Sequence, residues 1–180
     1  MRRGVAWPIA VLSLAVASGA PEAAVKRSAC PAAIGTADAA LQRAYVQFKR
    51  SVESSPLARR LGRAVSCEAR ADGGAIQLTY ESSTGAKLVA RRDPAIESTE
   101  QRLSEKRMTK KAAVALLQRT ERWAFGDKGC SIAWAKPPEG GAAASRGRRE
   151  LVYRGDDCNC QARLVYTGTT LTDVAFLSAC

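Results

Sequence analysis

The stretch that decides the fold is residues 158–180, CNCQARLVYTGTTLTDVAFLSAC. Two runs of alternating apolar and polar side chains flank the turn residues at 168–170, which predicts a β-hairpin with a three-residue loop. In that register one face of the hairpin is mainly apolar and carries Cys158, Cys160 and Cys180. A slip of one residue would turn the apolar set outward, so burial of this face specifies the register.

The six cysteines predict a disulfide framework rather than a metal site, because the chain has no C-x-x-C spacing and no histidine. They are Cys30, Cys67, Cys130, Cys158, Cys160 and Cys180. Cys158 and Cys160 point the same way along one strand, so a bond between them would be strained. We therefore expect Cys30–Cys67, with Cys180 bonded to Cys158 or Cys160 and Cys130 bonded to the other.

The N-terminus has the pattern of a secretory signal. Arg2 and Arg3 precede an uncharged, mostly apolar run at 5–17, and small residues follow as far as Ala24. The run is shorter than the roughly 20 residues of a membrane-spanning helix. We predict a signal peptide over 1–22, cleaved between Ala17 and Ala24, with a buried N-terminal helix as the alternative. Residues 23–180 then form a single periplasmic or secreted domain with no transmembrane segment.

The chain is strongly basic, with 28 Lys and Arg against 17 Asp and Glu. Without Arg2 and Arg3, 26 basic side chains remain, for a net charge near +9. Such a surface attracts polyanions: lipopolysaccharide, anionic lipid or an acidic protein. We expect no nucleic-acid partner for an exported protein. The alternative is that arginine serves solubility alone. The residues predicted to form an anion-binding face are Arg107, Lys111, Arg122, Arg148 and Arg149.

Apolar side chains recur at a spacing of 3.6 residues over 36–53 and again from Thr109 to Gly126. Both patterns predict amphipathic helices laid on a core. A short third helix is expected to begin at Pro56, a residue that suits the first helical turn.

The period changes to two over 75–90, where a turn at 82–85 predicts a second hairpin. Single strands are expected at 130–135 and 150–154, a loop with a helical turn or two at 96–106, and a flexible loop at 137–145. Together with the terminal hairpin this gives about six strands. The predicted fold class is α+β: an antiparallel sheet covered on one face by two main amphipathic helices and stabilised by disulfides. No internal repeat is evident in the residues.

The absence of histidine excludes Ser-His-Asp and Cys-His catalysis and any histidine metal site. Cysteines engaged in bridges leave no reactive thiolate. Paired carboxylates are the remaining acid–base option, at Asp156-Asp157 or at Glu97 with Glu100, and they would have to face each other across a cleft. We therefore predict no catalytic residue, no cofactor and no bound metal.

Two short segments resemble periplasmic lysozyme-inhibitor-type domains. One is ADAALQRAY at 37–45, and the other runs from LQR at 117–119 through Trp123 and Asp127 to Cys130. The second is similar to the Gln-Arg-x-Trp…Arg-Asp-x-x-Cys of those domains, although Gly126 replaces the arginine and the two segments lie further apart. The helix that opens at Met108 resembles β-lactamase-inhibitor-like modules more loosely. These resemblances imply an inhibitor or envelope-stress role.

The sequence thus predicts an exported, non-enzymatic binding protein of the cell envelope, an inhibitor or a polyanion binder. The alternatives are a secreted hydrolase that uses two carboxylates and a structural envelope component without a ligand.

Export and disulfide formation can be tested together by mass. The secreted protein is expected to begin between positions 18 and 25 and to take up no alkylating agent before reduction, because all six cysteines are paired. Intact-mass spectrometry before and after reduction measures both. Several alkylated thiols in the unreduced protein would contradict the disulfide framework.

Overall fold

The computed structural model describes residues 30–125, 131–140, 147–155 and 159–179. These residues form three α-helices and eight strands of one antiparallel sheet. The helices are α1 (Ala39–Ser54), α2 (Pro56–Leu61) and α3 (Lys110–Phe125). The strands are β1 (Ala64–Asp72), β2 (Ala75–Ser82), β3 (Lys87–Asp93), β4 (Ser98–Ser104), β5 (Glu139–Gly140), β6 (Arg148–Arg154), β7 (Gln161–Thr167) and β8 (Thr170–Ala179).

The sheet consists of two four-stranded meanders joined at their last strands. Its order is β1-β2-β3-β4-β8-β7-β6-β5, so β4 pairs with β8 in the middle. Helices precede each meander: α1 and α2 come before β1–β4, and α3 comes before β5–β8. The two halves therefore have the same topology, a repetition that the residues themselves do not reveal.

One row of apolar side chains crosses the centre of the sheet in direct register. Its members, strand by strand, are Tyr80, Leu88, Leu103, Val174 and Leu164, all buried. Because successive residues of a strand point to opposite faces, this row and its neighbours form one apolar face. Helix α2 packs against β3 and β4, and α3 packs against β7 and β8. The predicted α+β class with an antiparallel sheet is confirmed.

The helix boundaries follow from capping. The Asp38 carboxylate accepts hydrogen bonds from the amides of Ala40 and Leu41 and so begins α1. The Ser55 hydroxyl caps α2 in the same way, with Pro56 in its first turn. Thr109 accepts from the Ala112 amide at the start of α3. The three predicted helices are confirmed to within a few residues.

The terminal hairpin has the predicted register along most of its length. Ala162 lies opposite Phe176, and Leu164 lies opposite Val174, so that all four are buried on the helix side. Their burial against α3 explains why the register is unique.

The turn of this hairpin differs from the prediction. Thr167 pairs with Thr170, which leaves a two-residue loop rather than three. Gly168 has a positive φ of 61°, a conformation that L side chains rarely adopt and glycine adopts readily. An irregularity in the pairing brings Leu171, rather than Thr172, opposite Tyr166.

The described residues contain eight strands, not the six predicted, and the most central omission is β4. Residues 96–106 were expected to form a loop, yet β4 pairs with both β3 and β8. Its two buried residues, both on the helix side, are Gln101 and Leu103, which are 4% and 0% exposed. With a polar residue at one of two core positions, the hydrophobic alternation that signals a strand is lost.

The second omission is β1, a nine-residue strand at the edge of the sheet. Its helix-side residues are Cys67, Ala69 and Ala71, which are small and only weakly hydrophobic. An edge strand buries little area, so its sequence needs few large apolar residues.

The strand predicted at 130–135 is wrong for the part that the structure describes. There, Ile132 forms only an isolated bridge with Gly155. The Glu121 carboxylate of α3 accepts hydrogen bonds from the Ile132 amide and from the Trp134 indole, both at 2.6 Å. These bonds tie the segment to α3 and so replace regular strand pairing. The predicted 137–145 loop also contains the two-residue strand β5.

The predicted Cys30–Cys67 disulfide is confirmed, with Cα atoms 4.6 Å apart. It connects the segment before α1 to β1. Cys160 is 1% exposed and is also disulfide-bonded. Cys130, Cys158 and Cys180 lie outside the described residues, so the remaining pairing stays a prediction. The proposed signal peptide over 1–22 lies outside them as well.

In the part of the chain that the structure describes, no helix has both the length and the apolar character needed to cross a bilayer.

Removing the Cys30–Cys67 bond by the double substitution Cys30→Ala/Cys67→Ala is expected to lower the free energy of unfolding. The two cysteines are 37 residues apart in sequence, and loop-closure entropy for a ring of that size corresponds to about 4 kcal/mol. Urea denaturation of the oxidised proteins measures the difference. Val65→Ala, at an exposed site on the same strand, is the control and should change stability by less than about 0.5 kcal/mol. Equal stability of the double variant and the parent would contradict the structural role of the bond.

Candidate functional site

The positive charge of this protein is concentrated on its helical layer. Residues 30–63, which carry α1 and α2, contain six basic and two acidic side chains. Residues 105–125, which carry α3, also contain six basic and two acidic side chains, so the layer has a net charge of +8. We call the solvent-exposed surface of these two segments the helical face.

The opposite surface of the sheet, here called the open face, is close to neutral. Strand pairing places seven basic side chains on it: Arg70, Lys87, Arg91, Arg102, Arg148, Arg154 and Arg163. The same pairing places eight acidic side chains there: Glu68, Asp72, Glu81, Asp93, Glu100, Glu139, Glu150 and Asp173. Six ion pairs link members of these two sets, so most of the open-face charge is locally compensated.

The acidic side chains of the helical layer serve local structure. Asp38 caps α1, and Glu121 holds the segment around Ile132 and Trp134. Both carboxylates accept hydrogen bonds from groups of their own fold and are therefore poorly placed to compensate the basic side chains around them.

The other two acidic side chains of the layer are also engaged. Glu105 forms a two-bond ion pair with Arg60, at 2.6 and 2.8 Å. Glu53 accepts a hydrogen bond of 3.4 Å from the Tyr80 hydroxyl. Burial is the largest cause that raises the pKa of Tyr80, and the negative charge of Glu53 adds to it. Among the described residues the layer thus has one ion pair, and its other basic groups have no carboxylate partner.

Three of the four basic groups of α3, all except Lys110 at its first position, form a stripe along its exposed side. Lys111, Arg119 and Arg122 are exposed, and the small exposed residues Ala112 and Ala115 lie between them. At 1.5 Å per residue the stripe is about 16 Å long. Within the described part of the chain, these three side chains have no hydrogen bond or ion pair. We call them the α3 basic stripe.

The five residues predicted to bind anions do not all lie on one surface. Lys111 and Arg122 belong to the α3 basic stripe, and exposed Arg107 lies three residues before α3. Arg149 is on the helix side of β6, with its guanidinium 5.1 Å from the centre of the Tyr166 ring. Arg148 is on the open face, 3.9 Å from Glu150.

Arg119 was missing from the predicted set, although the sequence carried a signal for it. Residues three or four apart lie on the same side of a helix, and Arg119 is three residues from Arg122. The helical wheel therefore places it on the exposed side, as the structure does.

The centre of the open face holds a polar cluster around Asp173. One carboxylate oxygen accepts hydrogen bonds from Arg102, at 3.1 Å, and from the Ser104 hydroxyl. The other accepts a hydrogen bond from Thr172, at 3.0 Å. Burial alone would raise the pKa of the Asp173 carboxyl, but these hydrogen bonds and the charge of Arg102 lower it below its ordinary value. This cluster links β4 to β8, and nothing in the sequence pattern pointed to it.

A second arginine, Arg163 on β7, lies beside Ala175, two residues after Asp173 on β8. Arg102 and Arg163 lie on either side of Ala175, which is 3% exposed. The Nε atom of Arg163 is buried without a hydrogen-bond partner within the described residues.

The carboxylates considered for acid–base chemistry lie in different settings. Glu97 is exposed, with a positive φ of 46° at the end of a short 3-10 turn, whereas Glu100 is on the open face in the middle of β4. Because the segment from Ser98 onward is extended rather than helical, Glu97 and Glu100 do not lie one helical turn apart. Asp156 and Asp157 lie outside the described residues.

A shallow cavity of about 170 Å³ lies beside β5 and β6, bounded in part by Lys136, Glu139 and Arg154. Small-molecule sites usually measure about 300–1,000 Å³, so this cavity is small for a ligand site. An ion pair of 2.7 Å between Glu139 and Arg154 satisfies two of its charged groups.

No protein-family model, curated protein or solved structure matches this chain. The two short segments that resemble lysozyme-inhibitor-type domains therefore carry no family assignment, and the candidate site is argued from its own charges.

The hydrogen bonds around Asp173 predict a specific pH dependence of stability. Because the folded-state pKa is lowered, this carboxylate stabilises the protein above its ordinary pKa, and its contribution is lost as the pH falls through the folded-state value. Asp173→Asn is expected to lower the free energy of unfolding at neutral pH by about 1–3 kcal/mol. It should also reduce the loss of stability below about pH 4.

Urea unfolding between neutral and acidic pH measures both effects. Asp72→Asn, at an exposed carboxylate on the same face, is the control and should be close to the parent. If the free energy of unfolding of Asp173→Asn fell as steeply at acidic pH as that of the parent, the role assigned to this cluster would be contradicted.

Proposed function

We propose that this protein is an exported binding protein of the cell envelope that engages a polyanionic ligand through its helical face. The observation that supports the proposal is the separation of charge: a net +8 on the helical layer against a nearly balanced open face. Lipopolysaccharide is the most concrete candidate, because a signal peptide and disulfides would place the protein outside the cytoplasm.

Charge used only for solubility would need no such separation. Spread evenly over the surface, the same basic residues would keep the protein soluble equally well. Here the acidic side chains of the helical layer cap helices or bond neighbouring groups, while the α3 basic stripe is left exposed and uncompensated. A one-sided positive field attracts and orients an anionic surface.

The alanines of the stripe favour a flat or extended ligand. Ala112 and Ala115 are exposed between Lys111, Arg119 and Arg122, so the long side chains of these three basic residues have room to spread. Sulfates, phosphates or carboxylates repeated along a polymer or a lipid surface could then contact several basic groups at once. The expected binding is therefore multivalent and sensitive to salt.

The test compares two variants that lose equal charge. Lys111→Gln/Arg119→Gln/Arg122→Gln removes the α3 basic stripe, and Lys87→Gln/Arg91→Gln/Arg148→Gln removes three basic groups from the open face away from β1. Each basic side chain near an anionic surface contributes about 1 kcal/mol. The first variant is therefore expected to bind about 100-fold more weakly, and the second is expected to bind like the parent.

Binding is measured by titration against lipopolysaccharide, with heparin and anionic lipid vesicles as further probes. Affinity should fall steeply between low and physiological salt. Equal losses in the two variants would show that net charge, rather than the helical face, controls binding. Binding that does not respond to salt, or no binding to any of the three probes, would refute the proposal.

A further inference from the structure

The two edges of the sheet differ in how far they are protected from pairing with another strand. At one edge, β5 has only two residues and follows Pro137-Pro138. At the other edge, β1 has nine residues, contains neither proline nor lysine, and is largely exposed. Short strands, proline and lysine are three of the devices that prevent edge pairing, and β1 has none of these three, although it carries charged residues and an irregularity between Ala64 and Ser66.

The outer side of β1 offers hydrogen-bonding groups in a regular row. In the described part of the chain, the backbone of β1 pairs only with β2. Every second residue of an edge strand directs its N–H and C=O away from the sheet, so these groups have no partner among the described residues. An irregularity between Ala64 and Ser66 disturbs the beginning of the strand, and residues 66–72 follow without interruption.

The charges of this run are complementary to those of an antiparallel copy of itself. Open-face positions of β1 carry Ser66, Glu68, Arg70 and Asp72, of which Glu68 and Arg70 also form an ion pair of 2.6 Å within the chain. With a two-fold axis at Ala69, Glu68 lies opposite Arg70 of the second copy, and this pair occurs twice. Opposite charges at directly paired positions stabilise an antiparallel ladder.

The two adjacent registers lack this complementarity, and an axis at Ala71, which would pair Arg70 with Asp72, lies one residue from the end of β1 and leaves a shorter ladder. An axis at Glu68 or at Arg70 would place that residue opposite its own copy, so that like charges meet. A shift of one residue relative to the partner strand would place open-face residues opposite helix-side residues, and directly paired residues of an antiparallel ladder must lie on the same face.

The helix side of the same run presents no obstacle. Its residues are Cys67, Ala69 and Ala71, so the pairs across the axis would be Ala69 with Ala69 and Cys67 with Ala71. These side chains are small, and the sulfur of Cys67 is already bonded to Cys30. Two strands can therefore approach to the normal spacing of about 4.8 Å.

We propose that β1 is a self-association surface, at which a second copy of this chain adds its own β1 antiparallel about a two-fold axis at Ala69. The eight-stranded sheets of the two copies then form one continuous sheet. The axis is perpendicular to the sheet, so both helical layers lie on the same side and their basic surfaces combine. A contact confined to one strand edge buries little area, so the dimer is weak, and its population rises as the protein concentration rises.

The test uses charge reversal and its rescue in the oxidised protein, expressed with its own N-terminus and without any anionic ligand. Sedimentation equilibrium from micromolar to millimolar concentration is expected to show reversible dimerisation. Glu68→Arg and Arg70→Glu each place two like-charged pairs across the axis and should weaken the dimer about tenfold or more. The double variant Glu68→Arg/Arg70→Glu restores opposite charges and should dimerise like the parent.

Arg148→Glu, which reverses a basic charge on the open face away from β1, is the matched control and should leave the dimer unchanged. Far-ultraviolet circular dichroism and thermal unfolding establish that each variant is folded. If a single variant does not fold, hydrogen exchange of the parent supplies the second measurement. Amides that lie within residues 66–72 and face outward should exchange more slowly as the concentration rises, and those of β6 should not change.

Three results would overturn the proposal: a monomer at every concentration, a double variant as defective as the single variants, or edge amides whose exchange does not depend on concentration. Because no polyanion is present, these results bear on the β1 surface alone. Loss of ligand binding in the α3 variant bears on the helical face alone.

Discussion

The structure depends on the pairing of β4 with β8, which joins the two four-stranded meanders. On the helix side this junction places Leu103 against Val174, both fully buried. On the open face it places the Arg102–Asp173 ion pair, with Asp173 only 9% exposed. A four-stranded meander with one helical unit buries a small core. Joining two of them lets α2 and α3 cover adjacent strands of one sheet and pack against each other.

The alternation of side chains along the strands separates the chemistry of the two faces. Inward positions form the apolar rows, so the charged residues of the strands gather almost entirely on the open face, where basic and acidic groups pair. The helices have no such partner surface. Asp38 caps α1, their other acidic residues bond neighbouring groups, and most of their basic residues remain exposed. The separation of charge between the two faces thus follows from the alternation of side chains along the strands and from a few capping and hydrogen-bonding contacts of the helical layer.

The same sheet accounts for the contrast between its ends. The edge at β5 is short and follows two prolines, whereas the edge at β1 is long and alternates charge with small residues. A dimer through β1 would extend the sheet without covering the helical face. The proposed ligand surface and the proposed self-association surface are therefore compatible, and the second would increase the area of the first.

The sequence by itself determined the elements whose apolar spacing is regular. Helices α1 and α3, the β2–β3 hairpin and the register of the terminal hairpin could be predicted, because each has large apolar residues at a clear period. The Cys30–Cys67 bond was also predictable, by elimination among six cysteines. Tertiary structure alone decided β1 and β4. Their inward residues, among them Ala69 and Gln101, are small or polar and become part of the core only through neighbouring strands and helices. The division of charge between two faces was likewise invisible in the sequence, because it depends on which strands are adjacent, and residues such as Arg102 and Asp173 are 71 positions apart.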